Sequence, residues 1–186
     1  MVTVLDKNTA LVLIDLQKGI VAMPLANSME RVLVNAAKLV AAFRKASLPI
    51  VIVNVNPALN KRPATRKTPA AQSGAFKEDW LEIVDDIKTQ PTDIFITKST
   101  WGAFFETSLH EELQKRNITG IVLAGVATSI GVEGTARQAT ELGYNIAFAK
   151  DAMADRFADA HEHSLKYIFP RIGEVDDTDK IIEHLV

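Results

Sequence analysis

The sequence predicts an α/β protein, a parallel sheet with helices packed on both faces, and three observations carry that expectation. Apolar, β-branched runs alternate strictly with stretches of helical periodicity. The first of these runs is apolar on both faces, as a strand covered from either side must be. At 186 residues and 47% hydrophobic content, the chain is long and apolar enough for one domain around a substantial core, taken as residues 1–186.

The elements follow in order. Ala10-Leu11-Val12-Leu13-Ile14 predicts a central strand. Residues 28–47 predict a helix, with Ser28 as its cap and Val32, Ala36, Leu39, Val40 and Phe43 at helical spacing. Pro49 precedes a second strand, Ile50-Val51-Ile52-Val53. A third strand is expected at 93–97, a helix at 107–116, a fourth strand at 121–124, and a helix at 129–142 that Gly143 stops. A fifth strand at 145–149, a helix at 159–168, a short strand near 172–175 and a closing helix at 177–185 complete the pattern. Residues 54–80 are the irregular region. The stretch from Asn60 to Lys67 within it is basic and broken by Pro63, reading either as a lid or partner contact or as a solvated loop.

Composition narrows the function. A net charge of −2 provides no basic field for nucleic acid or an anionic membrane. No run of eighteen apolar residues predicts a membrane span, and the opening MVTVLDKNTA lacks the pattern of a signal peptide, so a cytoplasmic protein is expected. The absence of cysteine removes disulfides, thiolate metal sites and thiol catalysis together.

In an open parallel sheet, ligands bind beyond the carboxyl ends of the strands. There the first strand delivers Asp15 and Gln17, the second Asn54 and Asn56, and the third Lys98, Thr100 and Trp101. The fourth runs into GVATSIGVEGTAR, a strand-to-helix elbow, and the fifth delivers Lys150 and Asp151. An acid and a lysine sharing one cleft favour each other's charged forms, while apolar walls oppose charge. Such a pair can relay a proton near neutral pH.

At these residues the chain resembles the isochorismatase-like hydrolase superfamily. The matching stretches are ALVLIDLQKGI (10–20), the segment from ITKSTWGAFFETSLHEEL to AFAKDAMAD (96–155), and IFPRIGEV (168–175). The resemblance implies a doubly wound, Rossmann-like sheet of six parallel strands and a homodimer or higher homo-oligomer acting on a small molecule. In the amide-hydrolysing members the site is an aspartate, a lysine and a cysteine. These fall at Asp15, Lys98 and Gly131 of this sequence. The resemblance also implies a cis peptide between Val126 and Ala127, aiming backbone N–H groups at an oxyanion.

Two departures matter. Gly131 has no side chain and cannot attack a carbonyl. Ser129 and Thr128 carry nearby hydroxyls, but their offset from position 131 points them elsewhere. Nicotinamidases carry an aspartate–histidine–histidine metal cluster after the second strand, where this chain reads Asn54-Val55-Asn56-Pro57, so neither metal nor other cofactor is expected. His161 and His163 sit two apart on a predicted helix, not at ligand-pair spacing, and read with His110 and His184 as structural or solvent-facing.

The superfamily has members that work with glycine at the nucleophile position: the true isochorismatases and their phenazine-pathway relatives, which hydrolyse a vinyl ether. Protonating the terminal carbon of a vinyl ether gives an oxocarbenium ion that water traps, so an acid is needed and a nucleophilic side chain is not. Those enzymes have an aromatic residue and a histidine where this chain has Ala127 and Ser129, and ATSIGVEGTAR is closer to a bacterial subgroup that also carries glycine. The expectation is a cysteine-independent hydrolase using Asp15 as general acid/base, Lys98 as its assistant and water as nucleophile. Gln17, Trp101, Phe104, Ala127 and Thr128 are the candidate substrate contacts, with core packing as the alternative role of Trp101 and Phe104 and loop ordering that of Gln17. The competing expectation is a catalytically silent member of the fold that binds a small ligand or partner. Arg137 and Arg171 read as exposed or salt-bridged, and Asp151 as a residue that orders the loop after the fifth strand.

Overall fold

The computed structural model describes residues 1–59 and 76–185; the basic stretch from Asn60 to Lys67 lies outside the described residues. Six strands form one sheet in the order β3-β2-β1-β4-β5-β6, every neighbouring pair parallel. They are β1 (Thr9–Ile14), β2 (Ile50–Val55), β3 (Ile94–Lys98), β4 (Gly120–Val126), β5 (Asn145–Ala154) and β6 (Glu174–Asp176). The helices are α1 (Lys18–Val21), α2 (Met29–Lys45), α3 (Leu109–Gln114), α4 (Glu133–Glu141), α5 (Ala158–His163) and α6 (Thr178–Glu183). The chain starts in the middle of the sheet, builds outward through β2 and β3, then returns to β1's other side. The order therefore reverses between β1 and β4, which is where a doubly wound sheet opens a crevice.

Each strand's period of two divides the core. Leu11, Leu13, Ile52, Val122 and Ala124 face one way, onto Ala36, Leu39, Val40 and Phe43 of α2 and Ile181 of α6. Ala10, Val12, Ile14, Val51 and Val53 face the other, onto Leu109 and Leu113 of α3 and Ala136 and Ala139 of α4. All of β1 is buried because both its faces are covered. The five apolar positions expected on α2 are all buried, and Ser28 caps it by accepting a hydrogen bond from the Arg31 N–H.

Three elements differ from the sequence expectation. The helices expected at 129–142 and 159–168 are each interrupted by a wider π-type turn, at Thr128–Val132 before α4 and at Ser164–Ile168 after α5. β5 runs on to Ala154 through an irregularity in which its pairing jumps from Leu123↔Phe148 to Gly125↔Met153. The polar residues inside it had suggested an end at residue 149. Instead Asp151 accepts hydrogen bonds from Asn35 of α2 and from the backbone and hydroxyl of Thr178 of α6, so its polarity is satisfied within the strand. Asp151 thus ties two helices to β5 and does not belong to the carboxyl-end rim.

Phe148 is fully buried and stacks on Phe169 with ring centroids 3.9 Å apart. Phe148→Ala is expected to cost about 3–5 kcal/mol in urea unfolding. Phe95→Ala, on the exposed side of the edge strand, is expected to cost less than about 1 kcal/mol.

Candidate active site

The rim at the carboxyl ends of β1 and β3 holds one buried ion pair. Asp15 follows β1 directly, with φ +51°, a left-handed conformation that aspartate tolerates better than most residues. Its N–H is held by the Val53 carbonyl at 2.9 Å, which fixes the turn. Lys98 is the last residue of β3 and continues the buried phase of Ile94 and Ile96. Because β2 lies between β1 and β3, neighbouring chains about 4.8 Å apart leave a span that a long side chain must bridge. Lys98 Nζ crosses it, donating to Asp15 Oδ2 at 2.7 Å and to the Thr100 carbonyl at 3.1 Å. Asp15 is 5% exposed and Lys98 2%.

The pair is not closed on itself. Asp15 Oδ1 is buried and has no hydrogen-bond partner among the described residues. Burial raises the Asp15 carboxyl from its ordinary 3.8 to about 6, against the charge and hydrogen bond of Lys98, which act to lower it. Cavities of about 580 and 430 Å³ open elsewhere, at the amino-terminal end of the sheet beside Gly120 and Asn145 and beside Ile50 and Ile94. The chemistry nevertheless collects at the carboxyl end, where a carboxylate oxygen waits unpaired.

The elbow faces this acid. A Cβ placed on Gly131 would lie 3.3 Å from Asp15 Oδ2, 3.2 Å from the Val126 carbonyl oxygen and 3.0 Å from Ile14 Cγ2. The position expected for a nucleophile therefore does point at the acid, with nothing mounted on it. Gly125 brings β4 that close to β1: with φ +119°, any Cβ there would fall 2.1 Å from the Ile14 carbonyl oxygen. The Val126–Ala127 peptide is cis, as the resemblance implies.

The expected substrate contacts divide. Gln17 is fully buried and its amide is consumed, donating to the Val55 and Trp80 carbonyls and accepting from the Val55 N–H, so it orders the surrounding loops. Phe104 stacks on Tyr144 and meets His110 edge-on, packing that accounts for it without a ligand. Trp101 is 60% exposed and sits over the first turn of α4, beside Gly134. Ala127 is half-buried, and its carbonyl accepts from the Ile130 and Val132 N–H groups. The Thr128 hydroxyl is buried, donating to the Ala154 carbonyl and contacting His161. Arg137 pairs with Glu133, and the Arg171 Nε–H donates to the Tyr167 carbonyl. Asn54 Nδ2 donates to the Leu81 carbonyl and Asn56 Oδ1 accepts from the Ala58 N–H, so each amide is engaged locally through one of its atoms.

Asp155 is the rim acid that sequence reasoning missed. Buried just past β5, it accepts from the Ser129 N–H at 2.7 Å through Oδ2 and from the Phe157 N–H at 3.2 Å through Oδ1. It caps the turn that opens the elbow helix. Its signal was its place at the end of the matching segment, obscured by ending β5 at residue 149.

A doubly wound sheet with a buried acid–lysine pair at its switch point is the layout of an enzyme acting on small molecules. The Isochorismatase domain model matches residues 9–180. The chain is 46% identical over 182 residues to the uncharacterized isochorismatase family protein YwoC of Bacillus subtilis, covering 96% of this chain and 95% of that one. It is 29% identical over 199 residues to the ureidoacrylate amidohydrolase RutB of Pseudomonas savastanoi pv. phaseolicola, covering 91% and 81%. A solved isochorismatase family protein from Burkholderia thailandensis superposes with a TM-score of 0.91 at 37% identity, covering 98% of this chain and 97% of that one. The chain belongs to the isochorismatase family and is a hydrolase of that family.

The raised Asp15 carboxyl has a thermodynamic signature. Between about pH 4 and 6 the native state holds a proton at Asp15 that the unfolded chain has released, so this group makes stability fall as pH rises through that window. The slope it contributes is at most about 1.4 kcal/mol per pH unit. Asp15→Asn is expected to remove that slope, read from melting curves between pH 4 and 7.

Proposed function

We propose that the protein hydrolyses a small vinyl ether of the isochorismate type, with Asp15 as general acid, Lys98 holding it, and water as nucleophile. One observation carries the reading: a buried carboxyl raised to about 6, with one unpaired oxygen, faces an elbow position that has no side chain. The protonated Asp15 delivers its proton to the terminal alkene carbon, and the carboxylate left behind stabilises the oxocarbenium ion. Water adds to that ion and gives up a proton to the Asp15 carboxylate, restoring the acid, and the resulting hemiketal collapses to a ketone and an alcohol. Lys98 then favours the ionised acid only moderately, because burial opposes it. The Thr128 hydroxyl is already bonded at the back of the elbow, which supports water over a substitute side-chain nucleophile. The molecule is expected to act as a cytoplasmic homo-oligomer, its assembly checked by light scattering.

Isochorismate hydrolysis, with a panel of small amides beside it, tests this. Asp15→Asn is expected to lower kcat at least ~1,000-fold while the protein stays folded, an effect at the upper end of general-acid contributions. Equal turnover by wild type and variant would exclude Asp15 as the acid. Because the working form is the protonated acid, kcat/KM is expected to fall above about pH 6, losing roughly tenfold for each further unit. A profile that rises through pH 6 would instead make Asp15 a base.

A further inference from the structure

His161 is a buried titratable group that the proposed chemistry does not use. It lies on α5, 5% exposed, with Nδ1 2.8 Å from the hydroxyl of Thr128. Thr128 is fully buried and begins the π-type turn immediately after the cis peptide. Its hydroxyl has one hydrogen, which goes to the Ala154 carbonyl at 3.1 Å. With that hydrogen so placed the hydroxyl accepts from His161, an arrangement that the imidazole tautomer protonated on Nδ1 satisfies. Burial holds this imidazole toward its neutral form, against the nearby carboxylates of Glu162 and Asp155.

The same region is tied at two further points. Asp155 joins the Ser129 N–H to the Phe157 N–H at the start of α5, and the Ser164 hydroxyl donates to Glu133 Oε2 at the start of α4 at 2.7 Å. Asp155 and Ser164 are themselves buried, but these ties reach a backbone N–H and a part-buried carboxylate, whereas both ends of the His161–Thr128 bond are buried side chains behind the turn that carries Gly131. Losing it would leave a buried hydroxyl lone pair and a buried N–H without partners.

We propose that His161 is a positioning residue for the hydrolytic site: through Thr128 it fixes the elbow so that the backbone at Gly131 stays against Asp15. The proposal rests on the functional reading above only for its kinetic consequence, since the elbow's order can be measured without a substrate. His161→Leu removes the donor while keeping an apolar filler. Thr128→Val removes the acceptor isosterically. His161→Asn keeps an N–H close to where Nδ1 stands.

Amide hydrogen exchange is measured first. His161→Leu and Thr128→Val are each expected to speed exchange at residues 128–132 at least tenfold, with β1 amides unchanged. Exchange that is unchanged, or raised equally in β1, overturns the proposal, and so does a His161→Asn variant as loose as His161→Leu. With isochorismate as substrate, His161→Leu is expected to lose at least tenfold in kcat with KM within threefold, and His161→Asn to recover most of it. A loss confined to KM overturns the positioning role. If wild type turns over no substrate, the functional reading fails, while the exchange comparison still decides whether His161 orders the elbow.

Discussion

The Asp15–Lys98 pair sets the terms for the rest of the molecule. Two charges out of water cost several kcal/mol each unless geometry and further hydrogen bonds return the loss. Here the return is partial: the ammonium has two acceptors, but one carboxylate oxygen finds no donor among the described residues. The pair exists because the sheet places its members two strands apart with β2 between them, buried over Ile50–Val53, and both helical layers cover the sheet there. An isolated aspartate in that place would discard its charge. An isolated lysine would do the same in the opposite sense. Together they hold a carboxyl that changes state within reach of neutral pH, which is the property a proton-transfer site requires.

The approach of the elbow follows from that placement. β4 reaches β1 closely only because Gly125 has no Cβ, and the turn after it lands Gly131 against the acid. The second half of the elbow is set from outside the central strands, by Asp155 at the end of β5 and by α5. Site geometry here is therefore distributed. Central strands supply the charged groups, and the β5–α5 connection holds the backbone that faces them.

Much of this was legible in the sequence, for a local reason. Alternating apolar runs gave the strands and their order of appearance, and the α2 stripe from Val32 to Phe43 gave a helix whose five expected positions are buried together with Asn35. Lys98 was legible as a rim residue beside Asp15, whereas its burial appears only with β3 running on to Lys98, in phase with Ile94 and Ile96. What local pattern does not encode is the partner. The polar Lys150-Asp151 step looked like a strand's end because nothing near it in sequence says that Asn35 and Thr178 would satisfy Asp151. Ending the strand early displaced the rim acid from Asp155 to Asp151. Phe104 carried no mark separating an aromatic cluster with Tyr144 from a substrate contact. His161 and His163 were distinguishable only once α5 was seated, one against Thr128 and the other toward solvent.

The empty position has a structural consequence as well as a chemical one. With a side chain at residue 131, the acid would face that side chain first, and its proton would be traded within the protein. Without one, Lys98 is the side chain that Asp15 keeps as partner, and position 131 sets no reactive group against the acid. The space is narrow: Ile14 Cγ2 and the Val126 carbonyl already stand within contact of the missing Cβ, so a larger residue would have to displace one of them. Ile14 is also the residue whose carbonyl Gly125 approaches, so the two glycines accommodate the same short piece of β1 from both sides. Enlarging either would push on the segment that aims Asp15. The glycine at 131 and the setting of Asp15 are thus one constraint on the same short piece of β1.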